Sequence, residues 1–139
     1  MIACDLEIDA ADGVEEIVAE LVGALARKAR LPRHKAYWLR LATEEIVTNI
    51  GRHGYRGPGP VWLRSSVGPD RVWVRIEDAA PAFDPRSHDP GPPPATGLSE
   101  VDPGGYGLAL ARHGADEFRY ERVGGRNRST LSVSRPADA

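Results

Sequence analysis

The chain has 139 residues, of which 41% are hydrophobic and 27% charged, and it carries a formal net charge of −2. That size suits one domain whose core is stable without staples, and the charge offers no bulk attraction for nucleic acid. Cys4 is the only cysteine, which excludes an internal disulfide and a thiolate metal cluster.

Asp5, Glu7 and Asp9 stand where a secretory leader would carry a basic and then an apolar run. No apolar segment approaches membrane-spanning length, so the expected location is the cytosol, away from membranes. Ile2, Cys4, Leu6 and Ile8 alternate with Asp5 and Glu7, the pattern of a half-buried strand. Asp12 followed three residues later by Glu15 marks a capping-box start. Val14, Ile17, Val18, Leu21, Val22 and Leu25 then keep the helical period as far as Arg30. Pro32 opens a second helix that stops near Gly54.

"RGPGP" is a turn. Val61 to Val67 and Arg71 to Glu77 are strands joined by "GPD" in a hairpin. Pro85 to Pro103 holds six of the twelve prolines and has no period; it is too long for an ordinary connection within a compact domain. "YGLALARHGADE" reads as a helix from Tyr106 to Glu117, and "FRYERV", "GG" and "RNRSTLSVS" close the chain as a hairpin. The expected fold is α+β, a two-layer sandwich with helices on one face of a mixed, mostly antiparallel sheet. Residues 1–139 form a single domain in this reading.

Three stretches carry residues suited to chemistry. In "EEIVTNIGRHGY" the spacing i, i+4, i+7 gathers Glu45, Asn49 and Arg52 on one helix face. Trp38, Leu41 and Ala42 share that arc, so the face either leaves the core and is solvated or lines a site. In "IEDAAPAFDP", Asp78 ends a strand and opens a loop, a place for either a turn cap or a ligand contact. In "DPGGYGLAL", Gly104, Gly105 and Gly107 precede a helix, where backbone N–H groups can approach an anion. No P-loop and no dinucleotide-binding fingerprint is present.

The order of these pieces resembles the GHKL (Bergerat) ATP-binding fold, and more narrowly the bacterial anti-sigma factor and switch-protein serine kinases. "EEIVTNIGRHGY" is similar to that family's E-x-x-x-N helix, "DAAPAFDP" to its D-x-G-x-x-F-D-P turn, and "GGYGLAL" to its G-x-G-[LI] loop. "ERVGGRNRSTLSVS" places Thr130 where the family has a sheet threonine. The resemblance implies ATP and Mg²⁺ as cofactors. Asn49 would bind the metal, Arg52 would pair with phosphate, and Asp78 would accept the adenine amine with help from Thr130. Gly105, Gly107 and Leu108 would cradle the polyphosphate, residues 86–103 would form the ATP lid, and Glu45 would act as catalytic base.

One position departs from the family: Ala80 replaces a glycine beside the purine, where a Cβ could crowd the ring or forbid a positive φ. The resemblance implies a protein-serine/threonine kinase acting on an anti-sigma factor antagonist. A sigma factor or another regulator is a further expected partner, and homodimerisation is common in the family. The alternative is a regulatory binding module that sequesters a partner without phosphoryl transfer; Ala80 favours it, and Glu45 favours the kinase.

Overall fold

The computed structural model describes residues 2–11, 13–84 and 116–136. Strand β1 (Ile2–Asp9) leads into α1 (Val14–Ala29) and α2 (Arg33–Asn49), and α2 runs on into a five-residue π-turn, Ile50–Gly54. Strands β2 (Pro60–Val67), β3 (Arg71–Asp78), β4 (Glu117–Val123) and β5 (Arg126–Ser134) complete the sheet.

The strand order is β1-β2-β3-β5-β4, and all four pairings are antiparallel. The expected mixed sheet is therefore wholly antiparallel among the described residues. The expected helix end at Glu117 also gives way, because Glu117 pairs with Ser132 and opens β4. Asp12, the lid span 86–103 and Gly104, Gly105, Gly107 and Leu108 lie outside the described residues.

Apolar periodicity fixes how the two layers meet. Val14, Val18, Leu21, Val22, Leu25 and Ala29 form the buried stripe of α1. They pack with Leu39, Ala42, Ile46, Val47 and Ile50 over Val61, Leu63, Val72, Val74, Ile76, Leu131 and Val133 of the sheet. Each fully buried Val, Leu or Ile side chain contributes about 1.5–3 kcal/mol. Glu15 and Glu16 in the first turn of α1 and Arg27 and Lys28 in the last complement the helix dipole. The N-cap is Gly13, at φ 59° and without a side-chain capping bond. Beyond the other end, buried Arg135 donates from Nε to Ala29 O (3.0 Å) and from Nη1 to Gly68 O (2.8 Å), tying α1 to the β2–β3 hairpin.

The π-turn interrupts the regular advance of the second helix. Tyr55 N donates to Ile50 O at 2.8 Å, an i→i+5 bond, so the chain advances less per residue there than in α2. Gly51 lets this turn approach the end of β1: a Cβ at that position would lie 2.9 Å from Ala10 O. Gly51→Ala should therefore destabilise the protein by about 1–3 kcal/mol, since a backbone oxygen cannot swing aside. Gly23→Ala, inside α1 and facing only the flexible end of Arg27 at 3.5 Å, should stabilise it by about 0.5–1 kcal/mol. Urea denaturation of both variants checks the pair, and equal effects of one sign would refute the close approach.

Candidate functional site

The polar groups of the second helix do enter the protein interior. Glu45 is 9% exposed and Asn49 7%, one turn apart on α2. Asn49 lines a cleft with Ile46, Ile50 and Gly54 on one side and with Asp78, Ala80, Pro81, Phe83, Asn127 and Ser129 on the other. Asn49, Asp78 and Ala80, distant in sequence, thus meet at one place. The cavity between these walls is about 20 Å³, room for roughly one water molecule.

The turn is held from several directions. Ala80 N donates to Asp78 Oδ1 (2.9 Å), and Asn127 Nδ2 donates to the same oxygen (2.9 Å). Arg122 Nη1 donates to Ala80 O (2.8 Å). The hydroxyl of Tyr55 receives Ala79 N–H (2.8 Å) and donates to Pro60 O (2.7 Å), which joins the π-turn, the start of β2 and the Asp78 turn. Gly59 makes room for this arrangement, because a Cβ there would lie 2.3 Å from the Tyr55 ring.

Asp78 is 4% exposed. Burial pushes its carboxyl above the usual carboxylate range, and the bonds from Asn127 and Ala80 together with the Arg122 charge oppose that rise. Both donors bond Oδ1, so among the described residues Oδ2 is left to accept a hydrogen bond from a ligand. The same burial raises the Tyr55 hydroxyl.

Ala80 keeps a negative φ: among the described residues, the non-glycine positions with positive φ are Arg30 and Arg56. The departure from the family pattern therefore brings no backbone strain. Its methyl is buried (2% exposed) and packs over Gly54, where an added Cβ would come within 3.0 Å of it.

Two expected site residues fall elsewhere. Thr130 pairs with Arg75 and lies on the opposite, helix-free face of the sheet, in a groove of about 650 Å³ with Trp73 and Ser132. Strand alternation forces this, since Leu131 and Val133 face the helices and Thr130 has the other parity. The positions beside Asp78 are instead Asn127, its register partner, and Ser129. That parity, readable in "RNRSTLSVS", was the signal that could have identified them.

Arg52 is exposed and lines a neighbouring cleft with Ala10, Gly13, Thr48 and Gly51. Among the residues lining the Asn49–Asp78 cleft Arg52 does not appear. Glu45 remains on α2 behind Asn49 and is not among the residues lining the Asn49–Asp78 cleft.

Residues 9–133 match the histidine kinase-like ATPase domain family. BtrW, a serine/threonine-protein kinase of Bordetella bronchiseptica, is 31% identical over 110 residues, which cover 78% of this chain and 77% of that protein. The solved RsbU and RsbW domains of Rv1364c from Mycobacterium tuberculosis align with a TM-score of 0.61 at 20% identity, over 97% of this chain and 34% of theirs. The mycobacterial sensor histidine kinase MprB aligns with a TM-score of 0.55 at 15% identity, over 96% of this chain and 100% of that one. The two structural likenesses bear on the fold alone.

The buried carboxylate yields a stability test. A carboxyl whose folded pKa is raised favours the folded state below its unfolded pKa and loses that contribution as pH rises through the folded value. Asp78 ionised at pH 7 is therefore a local cost. Asp78→Asn keeps an acceptor for Asn127 and Ala80 and carries no charge. It should melt above the parent at pH 7, with the difference closing as pH falls through the raised folded value and gone below about 4. Thermal melts across that range check it, and a lower melting temperature for the variant at pH 7 would contradict the desolvation argument.

Proposed function

The chain belongs to the histidine kinase-like ATPase domain family, and from that premise we propose that it is a protein-serine/threonine kinase of the anti-sigma type. It uses Mg-ATP to phosphorylate a Ser or Thr of an anti-sigma factor antagonist, and it changes partners as a result. A sigma factor or another regulator is its second partner in this reading. The observation that carries this reading is the convergence of Asn49 with Asp78 and Ala80 on one cleft.

The cleft chemistry suits adenine. Ile46, Ile50, Pro81 and Phe83 provide apolar walls, and Asp78 Oδ2 accepts the exocyclic amine. Guanine presents a carbonyl at that position and would meet the carboxylate acceptor to acceptor, so GTP is rejected.

Among the described residues, no group of three or more His, Cys, Asp or Glu side chains could hold a metal. Magnesium arriving with ATP needs no such cage, because it keeps waters and phosphate oxygens and takes one or two protein ligands. Asn49, a hard neutral oxygen donor in the cleft wall, fits that need; the ion would offset phosphate charge.

In the proposed transfer, the substrate hydroxyl oxygen attacks the γ-phosphorus and the bond to the β–γ bridging oxygen breaks. ADP leaves, and Glu45 takes the hydroxyl proton. Arg52, which lines the neighbouring cleft with Gly51 and Thr48, would pair with polyphosphate charge.

One observation favours the other reading, a regulatory binding module without phosphoryl transfer. The Ala80 methyl is buried against Gly54 beside a cavity of about 20 Å³. The two readings separate when the protein is mixed with γ-labelled ATP, Mg²⁺ and the antagonist encoded nearest to it. Label on a Ser or Thr is the expected result, and its absence despite ATP binding would favour the module.

Asn49→Ala should abolish Mg-ATP binding with the circular dichroism spectrum unchanged, and retained affinity in calorimetry would remove α2 from the nucleotide site. Glu45→Gln should still bind nucleotide but transfer phosphate at least about a hundredfold more slowly, the scale of a general base. Transfer at the parent rate would leave Glu45 with a structural role only.

Ala80→Gly should bind ATP several-fold more tightly. With a negative φ at this position it should also lose about 0.4–1 kcal/mol of stability through the unfolded chain. Calorimetry and thermal melts measure both, and unchanged affinity would show that the turn already accommodates alanine.

A further inference from the structure

Asn127 lies within the closing-hairpin stretch quoted for Thr130, where the resemblance gives it no role, yet its buried amide (5% exposed) bonds both the end of β3 and the turn that follows. Nδ2 donates to Asp78 Oδ1 at 2.9 Å and to Pro81 O at 3.1 Å, with a longer shared contact to Ala80 O at 3.3 Å. Oδ1 accepts from Phe83 N at 3.1 Å and from the Tyr120 hydroxyl.

This network fixes the orientation of the amide. A flipped amide would set its oxygen against a carboxylate and two carbonyls, and its NH₂ against the Phe83 N–H. A carboxylate in its place would repel Asp78, and a hydroxyl is too short to span from Asp78 to Phe83. Only an amide at this position donates to the strand end and accepts from the turn at once.

We propose that Asn127 is a positioning residue for the nucleotide, holding the Asp78 carboxylate with Oδ2 turned toward the adenine amine and clamping the Pro81–Phe83 wall onto β5. This rests on the proposal that the cleft binds ATP. The bond from Nδ2 also favours the ionised, accepting form of Asp78 against its burial. Among the described residues, the charged or titratable groups that interact with this pair or with Tyr55 beside it include Arg122 and Tyr120 on β4, Tyr55 beyond the π-turn, and Arg126 on β5. Asn49, on the α2 side of the cleft, is neutral.

Asn127→Asp separates positioning from packing, because it keeps the shape and the acceptor for Phe83 and Tyr120 while turning one donor into an acceptor. Calorimetry with Mg-ATP and Mg-GTP from pH 5.5 to 8, each value taken relative to the parent, is the test. At pH 8 the variant should bind ATP at least about tenfold more weakly. It should regain part of that loss toward pH 5.5, where one proton shared by the two carboxylates restores the bond.

A loss independent of pH would show a merely structural role, and no loss at any pH would refute the proposal outright. Should the Asp variant fail to fold at pH 8, Asn127→Ser carries the test: a several-fold lower ATP affinity with weaker discrimination against GTP is expected. Parent-like values for both would overturn the proposal. A parent that does not bind Mg-ATP would instead refute the nucleotide reading, and this inference with it.

Discussion

A carboxylate at the end of a central strand, almost wholly out of water, is the constraint around which the cleft is arranged. Burying an ionised group costs several kcal/mol unless hydrogen bonds replace its hydration. The β3–β5 register supplies that replacement by setting Asn127 opposite Asp78. The backbone of the following turn supplies the second donor through Ala80 N. Arg122 then reaches from the edge strand β4 to hold Ala80 O. Three strands and one turn are thus committed to a group whose ionised form weakens the free protein. Such local cost is characteristic of sites kept for binding rather than for stability.

The helical layer responds to the same site through its π-turn. Asn49 and Arg52, three residues apart, line two neighbouring clefts there, Asn49 with Ile50 and Arg52 with Gly51. Tyr55 then fastens the end of this turn to Pro60 and Ala79, so the helix end and the Asp78 turn form one frame. Ala80 fits within it because Gly54 leaves room for its methyl. Small residues at positions 51, 54 and 59 are what allow helix, strand and turn to approach this closely.

The helix-free face of the sheet has a different character. Glu77 pairs with Arg126 and Arg128, Glu117 with Arg71 and Arg119, and Asp5 with Arg64. Arg126 lies 3.5 Å over the Trp62 ring, and Arg75 4.9 Å over Trp73. Individual exposed pairs contribute little to stability. Together they cover two tryptophans with charged groups. Thr130 belongs to this surface.

The sequence alone determined the two helices, the five strands and the layer order of the described residues, because those follow from periodicity and turn chemistry, which are local. The alternation in β1, the stripe of α1, the hairpin around Gly68 to Asp70 and the closing hairpin all appear where the pattern put them. It also determined the family, through motifs whose residues are near neighbours in the chain, and it pointed to Asn49, Asp78 and Ala80. Tertiary structure decided the rest. The π-turn is held by the close approach of Gly51 to Ala10 O and by the Tyr55 bonds, contacts between segments that no helical wheel contains, and Arg52 lines a cleft apart from Asn49. Which of two adjacent β5 residues faces Asp78 depends on parity and on register against β3, a strand far earlier in the chain; these chose Asn127 and Ser129 over Thr130. Side-chain identity is written in the chain, but the partner that a buried carboxylate finds is decided only when the strands align.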